Sequence, residues 1–573
     1  MTNQEVASRL DDIGDMLEIL GDNPFRVRAH HRAANSIRSS IEDVGVLVKD
    51  GRLTELPAVG ERLAERIAEL LTTGKMAYYE DLKTQVPPRL LELMSVPGVG
   101  PKKAKLFYEE LRITDVDELM EAAREGRVSA LKGMNAKTEE NIIKGIELLR
   151  VGRKRMLLSE AYPAAKKFVD AIRTQPGVAD ADYAGSLRRM KETIGDIDIL
   201  AAGDDTAAIT GYFTGLPDVE RVLARGDTKA SVLTGNGLQV DLRVVKPAEY
   251  GSALQYFTGS KEHNVRLRDM AKKRGLKISE YGIFDLKTGR NLGSRSEADV
   301  YGAMGLDYID PEIREDLGEI KAAEAHALPK LVAQSDIRGD LQVHSTYSDG
   351  LNHIADLAGE AKALGYEYIA ITDHAEKLKI AGGMTREDIK KRRAEIERLN
   401  SGLEGIVILS GIELNIAGDG GVDYPDEILK EFDIVLASIH SGFSQPREKI
   451  MKRVERALAN PYIQIFAHPT GRVIGRREPY AIDIEAAFDL AADTGTIMEI
   501  NAFPDRLDLR DDYIREAKRR GLKLVINTDS HMAAHLRYMM YGVAQARRGW
   551  LEPPDVVNTL PLDKMLAALK NKP

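Results

Sequence analysis

Six apolar segments alternate with helical spacers after residue 338, and this pattern restricts the possible folds more than any other feature of the chain. Repeated strand-then-helix units with apolar strands predict a parallel sheet or a barrel. In folds of that kind, functional groups collect at the C-terminal ends of the strands. The segments are YIAITD (368–373), GIVILSGIEL (405–414), FDIVLASIH (432–440), IQIFAH (463–468), TIMEINA (496–502) and KLVINTDSH (523–531).

Histidines and acids follow these segments, and seven of the eleven histidines of the chain lie after residue 338. One histidine after an apolar strand is usually structural, but five histidines and three acids at strand ends predict a shared metal site. Because the chain has no cysteine, imidazole and carboxylate ligands would suit zinc, manganese or iron. We expect His353 and His535 to lie at the surface, outside this set. Its members are His344, Asp349, His374, Glu413, His440, His468, Asp529 and His531.

The length of the chain, 573 residues, is too great for one hydrophobic core, and about three to five domains are expected. A hydrophobic content of 43% and a charged content of 30% are ordinary for a folded protein. No apolar run could span a membrane, and the acidic start MTNQEVASRLDDIGDML does not resemble a signal peptide, so we expect a cytoplasmic protein with no membrane partner. The net charge of -9 does not exclude DNA as a partner, because local basic patches bind DNA on acidic proteins.

Two aspartates interrupt an apolar segment within AGSLRRMKETIGDIDIL (184–200). Ile194, Asp196 and Asp198 alternate with Ile197 and Ile199, so a strand would place both carboxylates on one face. Neighbouring carboxylates repel each other, and a divalent cation would relieve that repulsion. A third acid, Asp241, lies in the strand pattern GLQVDLRVV (237–245). Three such carboxylates can hold two magnesium ions about 4 Å apart, with Asp241 near the attacking oxygen.

Three related segments occur within the first 150 residues, which otherwise have a helical pattern: LPAVGERLAERI (56–67), VPGVGPKKAKLF (96–107) and a weaker LKGMNAKTEENI (131–142). A tight turn that opens a helix leaves backbone N–H groups at the positive end of the helix dipole, where phosphates bind. Such contacts with DNA would not depend on its base sequence. We expect DNA contacts from Gly60, Gly98, Gly100, Lys102 and Lys103.

The motif GSLRR (185–189), followed by GDID (195–198), is similar to the nucleotidyltransferase signature in both residues and spacing. With the helix-hairpin-helix segments before it, the chain from residue 1 to about 315 resembles a family X DNA polymerase. The resemblance implies that Gly185, Ser186, Arg189 and Gly195 form part of a nucleotide site, in which Ser186 and Arg189 hold the incoming triphosphate. It also makes Asp196, Asp198 and Asp241 the catalytic carboxylates.

The segment YFTGSKEHNVRLR (256–268) is a second point of resemblance to family X polymerases, which carry a similar turn under the nucleotide sugar. The resemblance implies that Tyr256 and Phe257 wall the sugar and disfavour a ribose 2′-OH. The turn at Gly259 would allow close backbone approach. Asn264 would contact the base edge in the minor groove, and Arg268 the template strand.

The C-terminal part, 338–573, resembles the polymerase-and-histidinol-phosphatase (PHP) domain, a distorted barrel in which a three-metal cluster hydrolyses phosphoesters. The resemblance makes the eight residues above metal ligands, with Glu413 as a bridge, and implies a 3′→5′ exonuclease. The sequence departs at the first position, where Gln342 replaces the first histidine of a His-x-His motif. An amide is a poorer ligand than imidazole, so one metal is expected to bind weakly or be absent. An inactive, structural PHP domain is the alternative.

A further departure concerns the N-terminal domain. Related repair polymerases remove a 5′-deoxyribose phosphate through a Schiff-base lysine on the helix after LPAVG, where this chain has Arg66. A guanidinium stays protonated and cannot form an imine, so we expect weak or absent lyase activity. Arg26, His30 and Arg62 still offer positive charge for a 5′-phosphate.

Together these features predict a multidomain protein with helical helix-hairpin-helix domains, an α+β nucleotidyltransferase palm and a C-terminal α/β, (βα)7-type PHP barrel. The expected limits are an N-terminal lyase-like domain at 1–85, fingers at 86–150, palm at 151–250, a thumb-like nucleotide-selection subdomain at 251–315, a linker at 316–338 and the PHP domain at 339–573.

The expected function is the filling of short gaps in DNA repair by a monomer that uses gapped or primer-template DNA and deoxynucleoside triphosphates. Mg²⁺ or Mn²⁺ is expected in the palm, and Zn²⁺ or Mn²⁺ in the PHP cluster. Two other classes are kept open: a DNA-end-binding scaffold with decayed sites, and a template-independent nucleotidyltransferase that acts on RNA or a small molecule.

Overall fold

The computed structural model describes residues 1, 3–38, 40, 44–94, 96, 98–152, 155–235, 237–376, 378 and 381–570. Every residue given a functional role above lies within these ranges. The described strands form four sheets, which have two, three, five and seven strands. Among the described helices, none combines the length and the apolar character needed to cross a bilayer.

The first 152 residues are helical, as the sequence predicts. Their buried side chains form one hydrophobic cluster that extends from Val6 to Ile146. The expected boundary between the N-terminal domain and the fingers, at residue 85, therefore lies within a shared core. The helices are α1 (Asn3–Leu20), α2 (Pro24–Arg38), α3 (Val44–Lys49), α4 (Glu61–Thr73), α5 (Ala77–Gln85), α6 (Pro88–Met94), α7 (Pro101–Leu111), α8 (Val116–Arg124) and α9 (Ala136–Gly152).

The three related segments of this region share one backbone shape. Ala58, Gly98 and Gly133 have φ angles of 62°, 82° and 85°, and helices α4, α7 and α9 each begin three residues later. A left-handed φ is easy for glycine and costs an alanine roughly 1 kcal/mol. Because the third segment has the same left-handed residue at the same distance from its helix, it is a structural copy of the other two despite its weaker sequence.

The palm is a five-stranded sheet in the order β2-β4-β7-β6-β5, in which only β4 and β7 run parallel. The expected single strand through Ile194, Asp196 and Asp198 is wrong in part, because Ile194 lies in a separate short strand and Asp196 precedes β4. The elements are β1 (Met156–Leu157), α10 (Leu158–Arg173), β2 (Val178–Tyr183), α11 (Gly185–Arg188), β3 (Thr193–Ile194), β4 (Ile197–Gly203), α12 (Thr206–Thr214), β5 (Val219–Arg225), β6 (Lys229–Thr234) and β7 (Gln239–Val245).

A smaller unit follows the palm, with a three-stranded antiparallel sheet in the order β10-β9-β8. The ion pairs of Glu297 with Arg188 and Arg314 join this unit to the palm, and all three side chains are largely buried. The elements are α13 (Tyr250–Thr258), α14 (Lys261–Lys273), β8 (Leu276–Ser279), β9 (Gly282–Asp285), β10 (Asn291–Gly293) and α15 (Glu297–Gly302).

The segment 316–338, which its composition predicts as a linker, is ordered and packed. Helix α16 (Glu319–Glu324) forms within it, and Ile320, Ala323 and Val332 are buried. Glu319 accepts a 2.7 Å contact from the buried imidazole of His263, which ties the segment to α14. The segment therefore packs against the preceding unit through Ile320 and Ala323, and against the barrel core through Val332.

The C-terminal part is a seven-stranded parallel sheet in the order β11 to β17, as the alternating segments predict. After β17, Ser530 pairs with Val343 at the end of β11, which closes the sheet into a barrel. The elements are β11 (Gly339–Val343), α17 (Ile354–Ala363), β12 (Tyr368–Ile371), α18 (Arg386–Asn400), β13 (Val407–Asn415), α19 (Asp426–Leu429), β14 (Ile434–Ser438), α20 (Arg447–Leu458), β15 (Ile465–Phe466), α21 (Ile484–Thr494), β16 (Ile497–Asn501), α22 (Asp511–Arg519), β17 (Leu524–Asn527), α23 (Met539–Arg548) and α24 (Leu562–Lys570).

The strands of the barrel divide their side chains between two clusters. Ile369 and Ile371 of β12 pack toward the surrounding helices, whereas Tyr368 and Ala370 belong to a cluster that draws on all seven strands and on α24. That second cluster fills the barrel interior, and α24 covers it at one end. The strand C-terminal ends are therefore left for the histidines and acids.

The barrel packs directly against the palm. Leu507 and Tyr541 of the barrel are buried in the same hydrophobic cluster as the palm side chains of β4 and β7. Arg472 donates to Glu192 of the palm at 2.7 Å and through Nε to the carbonyl of Arg506 at 2.8 Å. The palm and the barrel thus share a hydrophobic core and an ion pair.

Two features of the fold were not expected from the sequence. His535 is 6% exposed and stacks on Tyr538, so the expectation of a surface residue was wrong; His353 is exposed, as expected. Burial lowers the pKa of His535 to about 3. The edge strands β2 and β5 carry mostly exposed or half-exposed side chains, so they lack the apolar pattern by which inner strands are detected.

Candidate active sites

The three palm carboxylates converge at the neighbouring inner strands β4 and β7. Asp198 of β4 and Asp241 of β7 are direct partners across the parallel pair, and Asp196 comes just before β4. One carboxylate oxygen of each lies within 4.8 Å of the others. Beside them is a pocket lined by Ala184, Asp198, Ile199, Lys229, Asp241, Leu242, Arg243 and Phe257.

The electrostatics of these three acids favour the binding of a cation. Burial, followed by repulsion from Asp196 and Asp241, raises the pKa of Asp198 to about 7. The side-chain amide of Gln239 donates to both oxygens of Asp241, at 3.1 and 3.3 Å, and so orients that carboxylate. Carboxylate oxygens are the ligands that Mg²⁺ prefers, and a bound divalent charge would reverse the repulsion.

Gly185 is required by the position of Asp198. Its φ is 60°, and a Cβ atom at this position would lie 2.2 Å from Asp198 Oδ2. The Asp198 carboxylate therefore occupies the space that a side chain at the first residue of the GSLRR motif would need. The tight fit explains a glycine here without any contact to a nucleotide.

We expect Gly185→Ala to lower primer extension by about a hundredfold, because Asp198 must move away from the other two acids. The fold should lose only about 1–2 kcal/mol, the cost of a left-handed alanine. Gly177→Ala is the matched control, since Gly177 has a φ of 85° and no atom within 4 Å of its Cβ position. Equal losses of extension in the two variants, measured at equal folded fractions, would contradict this role for Gly185.

Arg189, expected to hold a triphosphate, already has protein partners. Its Nε donates to Glu315 at 3.1 Å and its Nη1 to the carbonyl of Thr258 at 2.5 Å. Within the described part of the chain, Nη2 has no such acceptor and is the nitrogen left for a phosphate. Ser186, one turn of chain away, is half-buried, and Gly195 is exposed next to Asp196.

The residues of the segment 256–268 lie close together, and the amide of Asn264 has partners within the protein. Tyr256 and Phe257 pack edge to face with ring centroids 5.2 Å apart, and Gly259 has a φ of 69°. Asn264 donates to the carbonyl of Tyr256 at 2.7 Å and accepts from Gln255 at 2.8 Å, so its amide is largely engaged within the protein. Arg268 is exposed on α14, free to face a nucleic acid strand.

The helix-hairpin-helix turns present backbone groups as expected, with Gly60 and Gly100 directly before α4 and α7. Lys102 is exposed at the start of α7. Lys103 instead donates to the carbonyl of Gly98 at 2.6 Å, and partial burial lowers its pKa. In this conformation Lys102 is better placed than Lys103 to meet a phosphate.

Glu413, 1% exposed, is the centre of the histidine group at the barrel mouth. Its Oε1 lies 3.0 Å from His468 Nε2 and 3.2 Å from His440 Nε2. Its Oε2 lies 3.2 Å from His374 Nδ1 and 3.5 Å from His344 Nε2. Burial alone would raise the pKa of Glu413, but His374 and His440 hold it well below its ordinary value. One carboxylate thus contacts four imidazoles, as a bridging ligand would.

Three overlapping groups of potential ligands surround Glu413. Asp349 lies 3.5 Å from both His374 Nε2 and His531 Nε2, and Asp529 lies 3.1 Å from His344 Nε2. All eight residues expected from the sequence are therefore brought together. The groups whose ligand atoms lie within 4.8 Å of one another are His344, Asp349, His374 and His531; His374, Glu413 and His440; and His344, Glu413 and Asp529.

Several ring nitrogens in this group are buried without a hydrogen bond within the described residues. They are both nitrogens of His344 and Nδ1 of His374 and His468. His344 Nε2 is near Asp529, but the geometry does not make a hydrogen bond. A buried, unpaired nitrogen costs about 1–3 kcal/mol, which a metal ion would offset by accepting the lone pair. The donor set therefore fits metal ions of the zinc and manganese class.

Gln342 lies at the weakest of these positions, next to Glu499 and Asp529. With its N–H groups turned toward Glu499, the amide donates to both carboxylate oxygens of that residue. Burial, and then Asp529, raise the pKa of Glu499 well above its ordinary value. The amide oxygen is all that Gln342 has left for a metal, and it is a weaker donor than imidazole.

Glu499 and Arg506 were missed by the sequence analysis. Arg506 Nε lies 3.6 Å from Asp529 Oδ2, and Asp529 is the first of the acids that raise its pKa against the effect of burial. Glu499 could have been noticed as an acid within the apolar strand TIMEINA. No local pattern points to Arg506, because it reaches the cluster from the loop after β16.

Family models match four parts of the chain. A helix-hairpin-helix domain matches residues 1–76, and a SAM-like helix-hairpin-helix tandem matches 90–147. The DNA polymerase beta thumb matches 253–315, and the PHP domain matches 340–503. These are the families that the turns, the YFTGS segment and the histidine pattern resemble.

The chain is 39% identical over 572 residues to the DNA polymerase/3′-5′ exonuclease PolX of Bacillus subtilis, with 100% of each chain covered. It belongs to the family X DNA polymerases that carry a PHP domain. This PHP-domain family X polymerase is also 26% identical over 343 residues to DNA polymerase lambda of Rattus norvegicus, across 55% of this chain and 56% of that one. A probable phosphatase of Acetivibrio thermocellus is 32% identical over 188 residues, 31% of this chain and 73% of that one.

The family and fold class that the sequence predicts are thus confirmed. In the N-terminal domain of this PHP-domain family X polymerase, the Arg66 guanidinium lies 3.6 Å over the ring of Tyr78. Arg26 donates to the Tyr78 hydroxyl at 2.9 Å, and His30 stacks near the same ring. Arg62 is exposed nearby in sequence on α4. Arg26 and Arg66 thus contact the same tyrosine, and weak lyase activity stays a prediction.

Proposed function

We propose that the palm of this polymerase adds deoxynucleotides to a primer in short DNA gaps, with Asp196, Asp198 and Asp241 as the catalytic carboxylates. The observation that carries the proposal is the convergence of these three acids within 4.8 Å, beside a pocket that Phe257 and Arg243 line. The family membership and the relative named a DNA polymerase/3′-5′ exonuclease support the same reaction.

Each side chain around this site has a definite task. When bound, two Mg²⁺ or Mn²⁺ ions supply Lewis acidity to the 3′ oxygen and neutralise charge on the triphosphate. Asp196 and Asp198 would hold both ions, and Asp241, which Gln239 orients, would accept the primer proton. Arg189 Nη2 would bind the triphosphate together with Ser186.

Selection of the sugar falls to Tyr256 and Phe257 in this proposal. The two rings pack edge to face, and the Arg243 guanidinium lies 5.3 Å from the Phe257 ring centroid. Two rings packed in this way would leave little room for a 2′-OH, so a ribonucleotide would fit poorly.

Extension of a primer across a short gap, with magnesium or manganese, tests this function. Incorporation should follow the template base, and dependence on the template would be lost in a template-independent transferase. A DNA-end-binding scaffold would bind gapped DNA and extend nothing. The intact group of three palm acids favours the enzyme over the scaffold.

For the barrel we propose a metal-dependent 3′→5′ exonuclease. The central Glu413 and the buried, unpaired imidazole nitrogens support a cluster with His344, His374, His440, His468 and their partner acids as ligands. When bound, Zn²⁺ or Mn²⁺ would supply an acidified water and neutralise the phosphodiester. Arg506, beside Asp529, adds a fixed positive charge at the same mouth.

Digestion of labelled single-stranded DNA with manganese separates this proposal from its alternative, an inactive structural barrel. An active site should shorten the strand from its 3′ end. His440→Ala should stop digestion and leave extension intact, because His440 lies in the barrel site and not in the palm. Loss of digestion on substitution of Asp196 would argue against two separate sites.

We expect Gln342→His to raise the metal content of the purified protein by up to one ion per chain, because imidazole replaces a weak amide oxygen beside His344, Glu413 and Asp529. Elemental analysis of equal amounts of the two proteins measures the difference. Gln334→His, at an exposed site outside the cluster, controls for an added surface histidine. Equal metal content in all three proteins would show that the amide is no handicap.

The partners in this proposal are gapped or primer-template DNA and deoxynucleoside triphosphates. DNA contact would come from the helix-hairpin-helix turns at Gly60, Gly98 and Gly100, from Lys102 and Lys103, and from Arg268. A monomeric state, a cytoplasmic location and contact of Asn264 with the base edge stay predictions.

A further inference from the structure

Arg548, the last residue of α23, lies where the PHP barrel meets the palm. Its side chain is 2% exposed, although it carries a full positive charge. Burying a guanidinium is costly unless its donors are satisfied. Its acceptors belong to both the barrel and the polymerase half, so they indicate what this contact positions.

Two of these acceptors connect Arg548 to Arg189. Arg548 Nη1 donates to the backbone carbonyl of Arg189 at 2.7 Å and to Glu315 Oε1 at 3.1 Å. Arg189 Nε donates to the same Glu315 oxygen, also at 3.1 Å. Arg548 therefore holds Arg189 twice, once through the main chain and once through the carboxylate that orients its guanidinium.

The remaining partners anchor Arg548 on both sides of the contact. Nη2 donates to Asp511 of the barrel at 2.5 Å, and Nη1 lies 3.3 Å from the carbonyl of Glu312. Two residues farther along, the Arg314 carbonyl accepts from Ser260 N at 3.0 Å, next to the Gly259 turn. One guanidinium thus connects the barrel with both the GSLRR motif and the segment behind the YFTGS turn.

We propose that Arg548 of the PHP barrel is a positioning residue for nucleotide binding in the palm, and that it acts by holding Arg189 and by sharing the charge of Glu315. The inference rests on the proposed role of Arg189 in binding the triphosphate.

The charges around Glu315 predict how the loss of Arg548 would change the KM for the nucleotide. This carboxylate contacts Arg548, Arg189 and, at 3.3 Å, Lys191. Without Arg548, the cations that contact the half-buried Glu315 among the described residues would be Arg189 and Lys191, so Glu315 would hold Arg189 more tightly. A triphosphate would then compete with Glu315 for the same guanidinium, and the KM for nucleotide would rise more than kcat falls.

The neighbouring Arg547 supplies a matched control. It belongs to the same helix and also crosses to the polymerase half, where it pairs with Glu312 at 2.7 Å and Asp310 at 3.2 Å. It makes none of the contacts to Arg189 or Glu315 described for Arg548. Arg547→Ala therefore removes a comparable ion pair from the same junction without touching the nucleotide motif.

Initial rates of filling a one-nucleotide gap test the proposal in the full-length protein. In Arg548→Ala, the KM for the deoxynucleoside triphosphate should rise about tenfold, with a smaller change in kcat, and Arg548→Lys should lie between it and wild type. Arg547→Ala should leave the KM within about twofold. Digestion of single-stranded DNA and the thermal midpoint, measured on each variant, report whether the barrel stays folded.

A double variant distinguishes charge sharing from a general loss of packing. Adding Glu315→Gln to Arg548→Ala removes the competing carboxylate, so the KM should fall back part of the way toward wild type. Equal KM changes in Arg548→Ala and Arg547→Ala, or a KM that rises further in the double variant, would overturn the inference. Failure of the wild-type protein to extend primers by the template would instead refute the proposed function.

Discussion

Asp198→Asn is expected to abolish nucleotide addition, by about a thousandfold or more, while digestion of single-stranded DNA continues. The amide keeps the size of the carboxylate but removes the charge that would hold two cations between β4 and β7. Primer extension and strand digestion, measured on the same preparation, give the result. Asp204→Asn, at an exposed site just after β4, is the control and should behave as wild type.

The same variant makes a prediction for the metal-free protein. The pKa of Asp198 is raised from 3.8 to about 7 in the fold, so its ionisation opposes folding, and this cost grows as pH rises from about 4 and is complete above about 7. Asparagine removes the cost. The metal-free variant should therefore melt at a higher temperature than wild type at pH 8, with the difference vanishing toward pH 4.

A lower melting temperature for Asp198→Asn at pH 8 would contradict this electrostatic account, even if extension were lost. Loss of strand digestion in the variant would contradict the separation of the two sites. The two measurements are independent, because one concerns the repulsion among three palm acids and the other concerns the barrel.

Glu413→Gln is expected to abolish strand digestion, by about a thousandfold or more, and to leave extension unchanged. Glu413 contacts four imidazoles with two oxygens, so the neutral amide removes the negative charge on which the overlapping ligand groups depend. Metal content measured on the purified variant should fall with activity. Glu427→Gln, at an exposed site of α19, is the matched control.

Retention of full metal content by Glu413→Gln would show that the histidines alone hold the cluster, and retained digestion would remove Glu413 from the centre of the site. Loss of extension together with digestion would mean that the barrel variant disturbs the palm. Arg548 and Leu507 are the contacts through which such a disturbance would pass, since both are buried against the polymerase half.

The barrel ligands could be located from sequence because their positions are set by a local rule. Parallel strands all end at the same mouth, so a histidine or acid just after a strand must face its counterparts from the other strands. His440, His468 and Asp529 follow this rule, and Glu413 lies within β13 near its C-terminal end. Arg506 does not, because it lies in a loop whose path depends on how Leu507 packs against the palm.

In the palm, too, the sequence identifies the residues but not all of their contacts. Asp196 and Asp198 are recognisable within one segment, and Asp241 follows from its own strand pattern. That Asp198 and Asp241 are direct partners depends on the register of β4 against β7, which the sequence does not state. The sequence does not predict the edge strands β2 and β5, because few of their side chains are buried and they lack the alternation of apolar and polar residues.

The sequence predicted which residues could bind metal, which glycines precede helices and which strands would be buried. Each of these features depends on a few neighbouring positions in the chain. Folding in three dimensions decided the rest. The shared Glu315 of Arg189 and Arg548, the engaged amide of Asn264, and the acid beside Gln342 join residues far apart in the chain. Such contacts depend on how whole units pack, through many weak interactions that no local stretch contains.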